Sequence, residues 1–349
     1  MEKNYFRRVM DLTPTKFWVN NVTRAEARLG IEAGALGCTQ NPSYTWKILS
    51  HQEEGPYALE LLRNALRQSD NDNEVQCTLQ RELVRAISDL FMPLWERTGG
   101  RFGYVSIQGD PIHEDDPQVI IDEARNNRSM NPNVMIKIPA TKAGIEAMGT
   151  LLAEDTPLNA TEVMTLSQAV DLCEMYEVTA NKTGKTPIMY YSVITGIFDE
   201  WLALQAQANH VDINPDVLYQ AGMVVAKRIY QEVHDRGYRL GFIGGGFRQL
   251  HHFTEMVGAD ACITMNWVGS CDKLIEANPA VVSRFFNPVQ PCVLEELLAK
   301  LPDFKRAYCR DGLTIEEYEE YGAVEYFRGM FVDSWKHALS KIAEERKKL

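Results

Sequence analysis

Lys137 is the single cation in an apolar, strand-forming run, VMIKIPA (134–140). Strand side chains alternate between two faces, so Val134, Ile136 and Ile138 share one face and Lys137 lies on the other. An unpaired ammonium inside a protein is costly, and burial moves a lysine toward its neutral form by up to several pKa units. The neutral amine is a nucleophile that condenses with ketones and aldehydes to a Schiff base. Spacing alone leaves a second possibility, a lysine whose ammonium reaches solvent or a carboxylate at the strand end.

The same parity test sorts the other strand-like runs. Ser106 and Gln108 lie opposite Val105 and Ile107, and Asn159 and Thr161 lie opposite Leu158 and Ala160. Asn20 stands opposite Phe17 and Val19, Thr39 and Asn41 share a parity, and so do Tyr190 and Ser192. Six strands therefore direct polar groups to one interior. Tyr190 is a candidate acid/base group on that parity. His251 and His252 follow a glycine run on an expected helix, where adjacent residues do not share a face, so they read as core or surface residues rather than a metal site.

Holding these residues in one ring requires particular elements. Eight short runs, at 17–20, 36–40, 102–108, 134–140, 157–163, 187–194, 238–246 and 261–267, alternate with amphipathic segments of helical spacing. Strand and helix in alternation imply parallel strands, and eight units favour an α/β fold of the (β/α)8 TIM-barrel type. From about residue 275 two Asn-Pro steps precede further helical segments. These are expected to form a C-terminal helical elaboration of a single barrel domain spanning 1–349, and its basic end, ERKKL, reads as a solvated helix terminus. The glycines at 244–246 lack dinucleotide-binding spacing.

Composition narrows the partners. A formal net charge of −12 argues against nucleic acid and against a polybasic membrane patch, leaving a small molecule or another copy of the chain in a homo-oligomer. Seven scattered cysteines without a C-x-x-C pair are expected as reduced thiols in the cytoplasm. The N-terminus has no signal-peptide pattern and no apolar stretch approaches about 18 residues, so the expectation is a cytoplasmic protein that neither is secreted nor spans a membrane.

Several ordered motifs, over roughly residues 16–270, resemble the transaldolases, especially the long bacterial form, with kinship to the fructose-6-phosphate aldolases. MIKIPATKAGIEAM is similar to the family's strand-four motif and implies Lys137 as the Schiff-base lysine. TQNPS brings Thr39 and Asn41 to the site, LNATEVMTLSQA brings Asn159 and Thr161, and GGRFGYVSIQGDP resembles the glycine-rich entry to strand three. The departures bear on function. In FWVNNVTR the family's proton-shuttling aspartate aligns with Asn20, whose amide cannot accept that proton. The strand-three glutamate of transaldolases aligns with Gln108, a position at which fructose-6-phosphate aldolases also carry glutamine. In YYSVITGIF the family's phosphate-binding arginine aligns with Ile197 while Ser192 is retained; in GGGFR a serine becomes Gly246 while Arg248 is kept. One guanidinium in place of two implies weaker or different anion binding.

The resemblance implies a Schiff-base transferase or lyase acting on a ketose or ketose phosphate through Lys137. Asn20, Asn41 and Asn159 would hold the dihydroxyacetone unit, Thr161 and Gln108 would position water, and no metal or organic cofactor is required. An aldolase for an unphosphorylated or unusual sugar, and a catalytically impaired sugar-binding barrel, remain open alternatives.

Overall fold

The eight apolar runs form eight strands: β1 (Lys16–Asn20), β2 (Gly37–Gln40), β3 (Tyr104–Gln108), β4 (Val134–Pro139), β5 (Leu158–Val163), β6 (Met189–Ile194), β7 (Gly241–Gly245) and β8 (Ala261–Asn266). The computed structural model describes residues 3–348, so Met1, Glu2 and the final residue of the ERKKL tail, Leu349, lie outside the described residues. Each strand pairs in parallel with its successor and β8 pairs with β1, closing a (β/α)8 barrel in chain order. Closure satisfies every strand edge and forces the alternate side chains either into the ring or under the helices. The β-branched Val105, Val134, Ile136 and Ile138 take the outer position and join the core beneath the helix layer.

The inward side chains stack in levels. Near the strand N-termini Trp18, Tyr104, Met135, Ile243 and Cys262 pack into one apolar plug, with Tyr190 against it. Two glycines make this plug possible: a Cβ on Gly37 would meet the Trp18 ring at 2.5 Å, and one on Gly241 would meet the Tyr190 ring at 2.5 Å. One level higher, the register sets Gln108 beside Lys137 and Lys137 beside Asn159. The polar level thus sits toward the strand C-termini, the end at which barrels of this kind carry their chemistry.

Helix Tyr5–Leu12 packs on the outer face of β1, with Phe6 stacked on Phe17 at 3.9 Å between ring centroids. The chain after β8 is helical, as Asp272–Ala277, Pro291–Lys300, Pro302–Tyr308 and Gly322–Arg346. The last of these lies across the upper mouth. It is anchored where Trp335 Nε1 donates to Asn73 Oδ1 at 2.9 Å and Arg346 Nε donates to Asp72 Oδ1 at 2.7 Å. Arg346, within the basic tail, is therefore committed to an ion pair rather than left to solvent. No described helix is long and apolar enough to cross a membrane.

Trp18 is fully buried, and truncating it leaves a void that flanking strands cannot close. Trp18→Ala is expected to cost about 3–5 kcal/mol in urea unfolding. A loss under ~1 kcal/mol would show that the plug does not support the barrel.

Candidate active site

A cavity of about 250 Å³ opens at the C-terminal ends of the strands. Asn20, Thr39, Asn41, Lys137, Thr161 and Ser192 all line it, and these six come from five strands of the ring, Asn41 standing just past the end of β2. The C-terminal helix supplies a wall from one face, through Phe327, Met330, Phe331 and Ser334, whose spacing brings them to the same side.

Lys137 is 6% exposed, and its Nζ donates to Asn41 Oδ1 and lies 5.7 Å from the centre of the Phe331 ring. It forms no salt bridge among the described residues. Burial lowers its pKa from 10.5 to about 8, against the opposing pull of Glu162 and Glu114. Desolvation therefore outweighs the attraction of two buried carboxyls, and the amine loses its proton at a far lower pH than an ordinary lysine.

Asn20 is not a passive substitute. Its Nδ2 donates to Asn266 Oδ1 at 2.8 Å, while its Oδ1 accepts from Thr39 Oγ1 at 2.7 Å. Thr39 in turn lies 2.8 Å from the Thr264 hydroxyl. An amide serves both directions of this chain and an ionised carboxylate accepts only. Asn159 is held likewise, accepting from Ser192 Oγ at 2.7 Å and donating to Ser106 Oγ at 3.4 Å.

Gln108 lies at the level of Lys137, wholly buried, with its Nε2 donating to Glu162 Oε1 at 2.9 Å. Glu162 is 0% exposed and Glu114 is 5% exposed. Burial raises the Glu162 pKa, while Gln108, Lys137 and Arg328 oppose that rise. The Glu114 pKa is raised well above its usual range by burial and then by Glu162. Parity could not find Glu162, because it alternates with the inward Thr161 and should face the helices. The backbone instead enters the left-handed region there, at φ 60°, within a register shift between Ala160 and Val163. Thr264 and Asn266 were within reach of the parity test, since both share the inward parity of β8. The apolar wall from residues 327–334 was not, because only tertiary packing brings it to the mouth.

Two expectations are corrected. Tyr190 has the inward parity, but it occupies the second position of β6, at the lower end of the barrel, with its ring 5.6 Å from that of Trp18. Burial pushes its hydroxyl pKa upward. It belongs to the plug and is withdrawn as an acid/base group. His251 and His252 are also closer together than helical faces suggest, with ring centroids 4.0 Å apart. Together with Asp199 they bring three ligand-type atoms within 4.8 Å. Of the two, His252 is buried and His251 is half-buried, so they keep the core and surface character expected of them. His252 Nε2 bonds to Asp199 Oδ2 at 2.8 Å, and its Nδ1 accepts the Gln249 N–H at 3.2 Å, which fastens the chain segment carrying Arg248. Arg248 does line the cavity, but its Nε pairs with Glu200 Oε1 at 2.7 Å. Ile197 and Gly246 line the same side of the cavity as uncharged surface.

The architecture is that of a closed (β/α)8 barrel with a buried lysine at its polar end. Residues 17–287 match the Transaldolase/Fructose-6-phosphate aldolase family, and this chain belongs to that family. It is 30% identical over 167 residues to a transaldolase of Thiobacillus denitrificans, covering 46% of each chain. It is 32% identical over 167 residues to a transaldolase of Mycobacterium tuberculosis, covering 46% of this chain and 44% of the other. The matches thus span under half the length of these relatives.

The cost of burying the Lys137 cation has a measurable consequence. Below pH 8 the amine is charged in both folded and unfolded chains, and the folded chain carries the full desolvation penalty. Between about 8 and 10.5 the unfolded chain binds more protons, so stability rises with pH across that window. Lys137→Met is expected to stabilise the protein at pH 7 by about 1–3 kcal/mol in urea unfolding, with the advantage shrinking as pH approaches 10. A variant less stable than the parent at pH 7 would show that the cation is well accommodated.

Proposed function

We propose that this chain is a class I (Schiff-base) enzyme that cleaves or transfers the dihydroxyacetone unit of a ketose. The observation that carries the reading is Lys137, a buried amine without a salt bridge among the described residues, in a cavity lined apart from Arg248 by amides, hydroxyls and apolar groups. Attack of Nζ on the C2 carbonyl gives a carbinolamine, and loss of water gives an iminium. The iminium accepts the electron pair released when the C3–C4 bond breaks, which forms an enamine. Asn41, already bonded to Nζ, is placed to hold a hydroxyl beside the reacting carbon, and Asn20 and Asn159 hold the others. Thr161 and Gln108 position water. Phe331 and the C-terminal helix exclude bulk solvent and so strengthen each polar contact beneath them. Neither metal nor organic cofactor enters this chemistry, and a small sugar in the cytoplasm suits the seven free thiols.

A second reading concerns the substrate's tail. Arg248 is the cavity's one cation besides Lys137 among the described residues, and its guanidinium is engaged by Glu200. A neutral ketose needs no rearrangement of that pair, whereas a phosphate must compete with the Glu200 carboxylate.

Borohydride reduction in the presence of dihydroxyacetone is expected to add the mass of a reduced three-carbon adduct at Lys137, located by peptide mass spectrometry and absent from Lys137→Met. Turnover of fructose is expected to match or exceed that of fructose 6-phosphate. An unmodified Lys137 across a panel of ketoses rules out the imine, and a strong preference for the phosphate ester rules out the neutral tail alone.

A further inference from the structure

Breaking a C3–C4 bond through an iminium requires a base for the C4 hydroxyl proton. Among the described residues lining the cavity there is no aspartate or glutamate. Just beyond that lining, the fold brings in a carboxyl at a backbone position that regular strand geometry would have turned away. Glu162 sits at φ 60° inside β5. The conformation is held from both sides: Gln168 Nε2 donates to Glu162 O at 3.2 Å and to Ala140 O at 2.9 Å, and Ala140 N donates to Thr161 O at 2.8 Å. Strained residues persist where their surroundings over-determine them, and they concentrate at functional positions.

The result is a carboxyl in contact with Gln108, at the level of the lysine. Three buried atoms there have no hydrogen-bond partner among the described residues: Glu162 Oε2, Gln108 Oε1 and Thr161 Oγ1. They belong to β3 and β5, the strands that flank the lysine strand on either side. Orphaned polar atoms of this kind are rare in folded proteins and mark places for a water or a ligand hydroxyl. Thr161 lines the cavity itself and immediately precedes Glu162 in β5. The charged groups acting on Glu162 are Lys137 from β4 and Arg328 from the C-terminal helix. Glu114 lies behind and responds to Glu162, Arg328 and Glu319. Two carboxyls in one buried site cannot both ionise freely, and the charge of Glu162 adds to the rise in the Glu114 pKa.

Building on the Schiff-base reading, we propose that Glu162 is the acid/base carboxyl of this site, exchanging a proton with the substrate through a water held at Thr161 Oγ1. In the cleavage direction the C4 hydroxyl gives its proton to the Glu162 carboxylate by way of that water. The O–H pair becomes the new carbonyl π bond, the C3–C4 pair moves into the iminium, and the enamine remains on Lys137. The aldehyde leaves. Glu162 then returns the same proton, either to C3 of the enamine before hydrolysis or to the alkoxide formed when the enamine attacks an acceptor aldehyde. No oxidant or further co-reactant is needed.

The test uses the full chain with dihydroxyacetone in deuterated buffer. Borohydride trapping reports the imine, and solvent exchange of the carbon-bound hydrogens reports proton transfer. The parent protein is expected to do both. Glu162→Gln is expected to keep the adduct at Lys137 while exchange slows at least about 100-fold, the scale of general acid–base catalysis. Glu162→Asp keeps a carboxyl and a residue type tolerant of positive φ, and is expected to recover part of the exchange with a displaced pH profile. Absence of the adduct in the parent would overturn the Schiff-base reading itself. An intact adduct with exchange within about 3-fold of the parent overturns Glu162 alone, and so does loss of the adduct in folded Glu162→Gln, since the carboxyl would then be acting on the amine. If Glu162→Gln does not fold, an unchanged exchange rate and pH profile in Glu162→Asp overturns the assignment.

Discussion

The desolvation of one amine governs this structure. Lys137 is enclosed by the barrel, by the Asn41 amide and by the Phe331 ring, without a carboxylate among the described residues close enough to form an ion pair. The two buried glutamates that act on it raise its pKa, but burial lowers it further, to about 8. Had either carboxyl reached Nζ, the result would be an inert internal salt bridge. Carboxyls at one remove leave the amine free of an ion pair with either of them.

The remainder of the chain maintains that separation. The Trp18 and Tyr190 plug closes the barrel from below, and helix Gly322–Arg346 closes it from above through anchors at Trp335 and Arg346. Arg328 on that same helix acts on both Glu114 and Glu162. The helix therefore supplies an apolar wall to the cavity and a cation to the carboxyl pair, coupling closure of the mouth to the electrostatics below it. On the opposite side, Asp199 and His252 fasten the segment that carries Arg248.

Much of this was legible in the sequence, for identifiable reasons. Parallel strands and alternating helices follow from short apolar runs between amphipathic segments. The inward set Asn20, Thr39, Lys137, Thr161 and Ser192 follows from period-two alternation, which a closed barrel enforces. Tyr190 was misread because parity reports which face a side chain takes and not how far along the barrel axis it lies. Glu162 was missed for the complementary reason, since a single left-handed residue reverses parity locally and non-glycine residues in that region carry no reliable sequence mark. The pairing of Arg248 with Glu200 and the wall formed by Phe327 and Phe331 depend on contacts between distant segments, which local pattern cannot report.

The most direct measurement is the ionisation of Lys137 itself. Selective isotope labelling of lysine side chains, with the Lys137 resonance assigned by its loss in Lys137→Met, allows its titration to be followed by NMR. A midpoint near 8 is expected, well below the 10.5 of an ordinary lysine. A midpoint at or above 10.5 would mean that the amine stays charged at neutral pH, and the nucleophile on which this chemistry rests would not exist.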